Sequence, residues 1–117
     1  MSNQHYVIGI DGGGTKTHAL LADTNGTILS EARGFGSNPQ IIGYERAAKV
    51  LFNLVRECCG KIKQPVKAVH HVVAGIAGIG RPADKAQLQN ALLAVSDKNR
   101  IFRLESDARI GLEAALP

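Results

Sequence analysis

Residues 11–17 read Asp-Gly-Gly-Gly-Thr-Lys-Thr, directly after the apolar run Tyr6–Ile10. A carboxylate, bare glycines, a hydroxyl and an ammonium in that order suit the holding of a phosphate chain and its divalent cation. Glycine loses more backbone freedom on folding than any other residue, so several together imply a tight turn or the close approach of a ligand. Without Cβ atoms, the amides of Gly12, Gly13 and Gly14 can turn toward phosphate oxygens. Thr15 adds a hydroxyl donor and Lys16 a positive charge. Asp11 would repel a phosphate, so it makes sense as a ligand of Mg²⁺ or of its waters.

Two other glycine motifs fail here. Gly9 and Gly14 have the Walker spacing, but Thr15 stands before Lys16, and a hairpin rather than a helix follows. The dinucleotide fingerprint fails because Thr17 occupies the place of its third glycine. A plain glycine turn is the alternative to a phosphate-holding β-hairpin.

Other polar residues stand at junctions. Asp107, in Ser-Asp-Ala, lies between a short strand and a helix, where a carboxylate can orient a nucleophile or cap the helix. Ser37 and Asn38 precede Pro39, a helix-start pattern. Gly75, Gly78 and Gly80 end an apolar run, where they either admit a substrate or make the turn. Arg81 next to them reads as a solvated helix-start residue or as a contact for an anion.

These residues need a scaffold. His5–Asp11 reads as a buried strand, Lys16–Asp23 as a second, and Thr27–Gly34 as its return. Asn25-Gly26 between the last two predicts a type I′ turn. Apolar residues at helical spacing run from Tyr44 to Cys58, so a helix is expected from Pro39 to near Gly60. Val66–Gly80 contains a central strand, Arg81–Ser96 a helix, Arg100–Glu105 a short strand and Ser106–Leu116 the start of a last helix. The order β-β-β-α-β-α-β-α predicts an α/β domain with a mixed five-stranded sheet flanked by helices.

The segments GIDGGGTKT, DTNG, GSNP, AGIAGIGRP and ESDARIG occur in one order. In that order the chain resembles the N-terminal half of the BadF/BadG/BcrA/BcrD ATPase family, which includes N-acetylglucosamine and glucosamine kinases. The resemblance spans essentially the whole chain, and DGGGTKT is its most specific piece. It implies the ribonuclease-H-like domain of the actin-like, hexokinase-like superfamily. It implies that Asp11 handles Mg²⁺ and that Gly12, Gly13, Gly14, Thr15 and Lys16 face the β- and γ-phosphates of ATP. Asp107 matches the family's catalytic aspartate, which in sugar kinases takes the proton of the acceptor hydroxyl. Ser37 and Asn38 match positions that contact the sugar, a role as open as helix capping, and Gly78 lies at the same sheet edge.

The family's second domain brings another glycine-rich loop and the adenosine pocket, and residues 1–117 contain no such loop. The expectation is therefore a single N-terminal domain, inactive alone, whose partners are a small-molecule sugar and a C-terminal domain. An exposed face that meets that domain could also drive homodimer formation. Two other functions fit the resemblance. One is an ATPase that activates a partner of the 2-hydroxyacyl-CoA dehydratase or benzoyl-CoA reductase type through an iron–sulfur cluster. Such clusters need positioned thiolates, whereas Cys58-Cys59 continues the apolar face of a helix. The other is a sugar-responsive regulator without turnover, against which Asp11, Lys16 and Asp107 stand.

Composition narrows the setting. A chain of 117 residues with 44% apolar and 21% charged residues can bury one ordinary globular core. No apolar stretch approaches the ~20 residues of a membrane span, and no basic region precedes the first apolar run, so neither membrane nor secretion is expected. The net charge is +4, but the basic residues are scattered and aromatics make up only 4%, which offers nucleic acid no stacking platform. Adjacent cysteines form no disulfide framework, and a cytoplasmic setting is expected. His70-His71 in a strand would face opposite sides of the sheet and could not chelate one metal.

Overall fold

The computed structural model describes residues 5–96 and 101–115. Alternating inward residues build two strands, β1 (Tyr6–Gly12) and β2 (Lys16–Asp23), which pair antiparallel with Asp11 opposite His18 and Gly12 opposite Thr17. β3 (Ile28–Phe35) returns along β2 and forms one edge of the sheet. β4 (Val69–Ile76) and β5 (Phe102–Glu105) add parallel strands on the other side of β1, giving the order β3-β2-β1-β4-β5. The mixed five-stranded sheet read from the sequence is the one observed.

The turn after β2 differs from the expected type I′. Gly26 has φ 83°, whereas Asn25 keeps a negative φ. The Asp23 carboxylate explains this, because it accepts from the amides of Asn25 (2.9 Å) and Thr27 (3.0 Å) and holds the loop in an Asx-type turn.

The first helix is also interrupted. α1 (Pro39–Ile42) is one turn long, capped by Asn38, and the chain breaks at Gly43 (φ 86°) before α2 (Tyr44–Lys61). The left-handed backbone at Gly43 is incompatible with a continuous helix. α2 then lays Ala47, Leu51, Leu54, Val55 and Cys58 on the sheet, where they are buried with Ile8, Ile10, Ala19 and Leu21. Complete burial of a side chain such as Leu51 contributes roughly 1.5–3 kcal/mol. Cys58 and Cys59 are buried and free, and burial pushes the Cys58 thiol up to about 11. It is a packing residue, not an available thiolate.

α3 (Pro82–Val95) covers the same core through Leu88 and Leu92. The α-helix expected after β5 is absent from the described part of that segment. Residues Ala108–Ile110 and Leu112–Ala114 form two short 3₁₀ turns. Gly111 between them lies so close to the Ile10 carbonyl that a Cβ there would collide with it, so backbone approach to β1 sets this segment's path.

His70 and His71 are both exposed, and their rings meet edge to face at 5.5 Å. The alternation rule fails because the register with β1 slips there: Tyr6 pairs with Val69 and Val7 with His71, leaving His70 in a bulge. Among the described residues, no helix is long and apolar enough to cross a membrane.

Candidate active site

The carboxyl ends of the parallel strands β1, β4 and β5 meet at one sheet edge, the usual binding edge of an α/β sheet. Asp11 at the end of β1, the hairpin tip and the segment after β5 surround a cleft of about 310 Å³ there. Lys16, His18, Arg33 and Arg109 share its lining with Asp11 and Gly13. Three permanent cations around one carboxylate make it a place for anions.

The glycines divide into different jobs. None of Gly12, Gly13 and Gly14 has a positive φ, so the turn itself does not require glycine. Gly12 is buried, and a Cβ on it would collide with Ser37 Oγ. Gly13 N–H donates to the Lys16 carbonyl at 2.9 Å, inside the hairpin. Gly12 is thus bare for packing, and the amide of Gly13 is engaged within the hairpin. Gly14, Thr15 and Lys16 form the exposed tip. A Cβ on Gly14 would meet only Ile41 Cδ1, at an ordinary 3.5 Å. The protein's own packing does not demand a glycine at that position.

Asp11 Oδ1 accepts from the Leu112 amide at 2.8 Å. Burial raises the carboxyl above its ordinary range, the Leu112 bond and His18 oppose this, and repulsion from Asp107 adds to it. That repulsion marks the two carboxylates as neighbours. Asp107 itself is held low, first by the Arg109 amide bonded to Oδ1 at 2.9 Å. It therefore caps the short turn that follows it and is ionised at neutral pH, with 43% of its side chain exposed. Among the described residues, no three His, Cys, Asp or Glu side chains gather into a metal-holding group. One carboxylate with water and phosphate oxygens is the usual manner of holding Mg²⁺, so the donor set fits that ion rather than a protein-caged metal.

Ser37 and Asn38 differ in availability. Ser37 is fully buried, its hydroxyl 2.9 Å from that of Thr17, which also bonds the Phe35 carbonyl at 2.7 Å. Its side chain braces the hairpin from beneath. Asn38 Oδ1 accepts from Gln40 N–H at 2.9 Å and rests on Gly78, where a Cβ would collide with it. Gly78 has φ 92°, so it both makes the turn and admits Asn38. Arg81 pairs with Asp84 at 3.0 Å. The sequence reading missed Thr17, Gln40, Asp84, His18 and Arg33. Thr17 carried a signal, since strand alternation turns it inward with Ala19 and Leu21. A larger cavity of about 470 Å³, lined by His5, Asp23, His70 and His71, lies at the opposite end of the sheet from these carboxylates.

Residues 8–112 match the sequence model of the BadF/BadG/BcrA/BcrD ATPase family. The chain belongs to this family. It is similar to the N-acetylmuramic acid/N-acetylglucosamine kinase of Clostridium acetobutylicum, with 32% identity over 95% of the chain and 36% of that protein. The N-acetyl-D-glucosamine kinase of Dictyostelium discoideum is 25% identical over 92% of the chain and 36% of its own length. The chain thus spans about a third of these relatives. In fold, this family member is similar to a solved structure from Chromobacterium violaceum described as a candidate N-acetylglucosamine kinase, with TM-score 0.67 and 22% identity over 89% of the chain and 35% of that one. A reductive activator for a corrinoid, iron–sulfur protein shares the fold more distantly, with TM-score 0.52 and 15% identity over 84% of the chain and 18% of that one.

Proposed function

We propose that this chain supplies the N-terminal half of an ATP-dependent kinase acting on N-acetylglucosamine or glucosamine. The observation that supports the reading is one cationic cleft at the sheet's carboxyl edge, lined by Asp11, Gly13, Lys16 and Arg109, with Asp107 close enough to Asp11 to repel its charge. The relatives named as N-acetylglucosamine kinases support it over most of this chain.

In this reading the amides of Gly14 and Thr15 and the ammonium of Lys16 receive the β- and γ-phosphates of ATP. Asp11 would hold Mg²⁺ directly or through its waters, and that ion would supply neutralisation of the phosphate charge. Asp107 accepts a hydrogen bond from the acceptor hydroxyl and takes its proton as the oxygen bonds to the γ-phosphorus and ADP leaves. Phosphoryl transfer asks for positioning and charge neutralisation more than for covalent chemistry, and a weakly basic aspartate is adequate. Asn38 and the Gly78 turn face the sugar, and buried Ser37 holds that loop to the hairpin. A second domain closes over the cleft to exclude water and complete the nucleotide pocket, so the 117 residues alone do not turn over.

The deciding experiment is ADP release by the native-length protein, with and without N-acetylglucosamine or glucosamine. Sugar-dependent release that Asp107→Asn abolishes is expected. Release that ignores every sugar would transfer the reading to an ATPase that drives a redox partner.

A further inference from the structure

Asp84 sits in the first turn of α3, has a side chain only 6% exposed, and gathers donors from three separate segments. Its Oδ1 accepts from the Tyr44 hydroxyl of α2 at 2.7 Å, from Gln40 Nε2 of α1 at 3.2 Å and from Arg81 Nη2 at 3.3 Å. Its Oδ2 accepts from Arg81 Nε at 3.0 Å. Gln40 Nε2 also reaches the Gly78 carbonyl at 3.1 Å, and the Gln40 amide bonds the Asn38 side chain. Asn38 in turn rests on the bare Cα of Gly78. One carboxylate therefore fixes the spacing between the Asn38 loop and the Gly78 turn.

An acidic residue in a helix's first turn often does no more than complement the dipole, and an exposed one serves that end. A carboxylate withdrawn from water needs fuller compensation, and breaking such a pair leaves a buried charge. What this one holds is geometry between two loops that lack any direct strand pairing to each other.

We propose that Asp84 is a positioning residue for the acceptor-sugar site, acting through Gln40, Tyr44 and Arg81 to hold Asn38 against Gly78. This rests on the kinase reading for the identity of the ligand, though not for the mechanical role. The sugar half of the cleft depends on Asp84, and the phosphate half, built by the hairpin, does not.

The test compares Asp84→Asn and the milder Tyr44→Phe with the parent protein in its native length. A rise of about tenfold or more in the sugar KM is expected for Asp84→Asn, because small misplacements of a binding group carry large kinetic effects. The ATP KM and the kcat at saturating sugar stay unchanged, and Tyr44→Phe moves the sugar KM in the same direction. Sugar and ATP constants that move together, or a fall in Tm with unaltered kinetics, would overturn the proposal. Amide exchange of residues 36–43 gives a readout independent of turnover. Faster exchange there, with the core strands unaffected, supports the positioning role, and unchanged protection overturns it. Should the parent show no sugar-dependent ADP release, the kinase reading falls and the exchange measurement alone judges Asp84.

Discussion

The hydroxyls of Thr17 and Ser37 lie 2.9 Å apart, twenty residues distant in sequence, with Ser37 Oγ directly over the Cα of Gly12. This contact joins the glycine hairpin to the loop that carries Asn38. It also separates two glycines that look equivalent in sequence.

Gly12→Ala forces a methyl group into Ser37, and overpacking of this kind costs about 1–3 kcal/mol. Gly14→Ala has room for its methyl and an ordinary backbone, so its stability should match or exceed the parent's by up to ~1 kcal/mol. The nucleotide should report the reverse order. Gly14→Ala weakens ATP binding at unchanged stability, as read by urea unfolding beside nucleotide titration. A destabilised Gly14→Ala with normal nucleotide affinity would remove the ligand explanation for that glycine.

Asp107→Asn separates two roles of one carboxylate. Asparagine caps a helix start about as well as aspartate, so Tm should barely move. A lost general base lowers rate by about 10²–10⁴. Loss of turnover in the native-length protein with an unmoved Tm is the expected pair of results. Retained turnover with an unmoved Tm would show that Asp107 is chiefly a cap.

Asp11 carries an apo-state cost. Its folded pKa is raised chiefly by burial, so the charged form is disfavoured on folding at neutral pH. Asp11→Asn keeps an acceptor for the Leu112 amide and removes the charge, so the apo chain should melt at a higher temperature at pH 7. The advantage should fade as pH falls through the acid range, where the parent carboxyl is protonated in both states. Mg²⁺-dependent activity should be lost at the same time.

Asp84 has the opposite sign. Arg81 and Tyr44 bond its carboxylate and hold it down to about 2, below the ordinary 3.8. Its contribution is fully present above about pH 4 and is lost as pH falls toward 2. Acid titration of stability should therefore lose a component in Asp84→Asn, visible as a flatter acid limb. An unchanged acid limb would mean that the network is loose in solution.

The strands and helices were readable wherever the signal was local. The inward alternation of Thr17, Ala19 and Leu21 and the helical spacing of Leu51, Leu54, Val55 and Cys58 place β2 and α2 without reference to the rest of the chain. Pro39 and Pro82 mark helix starts because their missing amides cost nothing there. Local signals failed where a neighbour in space overruled them. Gly111 pressed against β1 accompanies 3₁₀ turns in place of the expected helix, Asp23 reshaped the Asn25-Gly26 turn, and the bulge at His70 put both histidines in solvent.

The order of residue types in the Asp-Gly-Gly-Gly-Thr-Lys-Thr segment determined the class of chemistry, because a phosphate-holding hairpin needs its donors within one short turn. Tertiary structure alone decided which glycine is bare for packing and which has room for a side chain. It also set Asp11 beside Asp107 and chose Asp84 as the tie between the Asn38 and Gly78 loops. Those relationships span tens of residues along the chain, and sequence spacing cannot encode a contact that only the packing of separate elements brings within bonding distance.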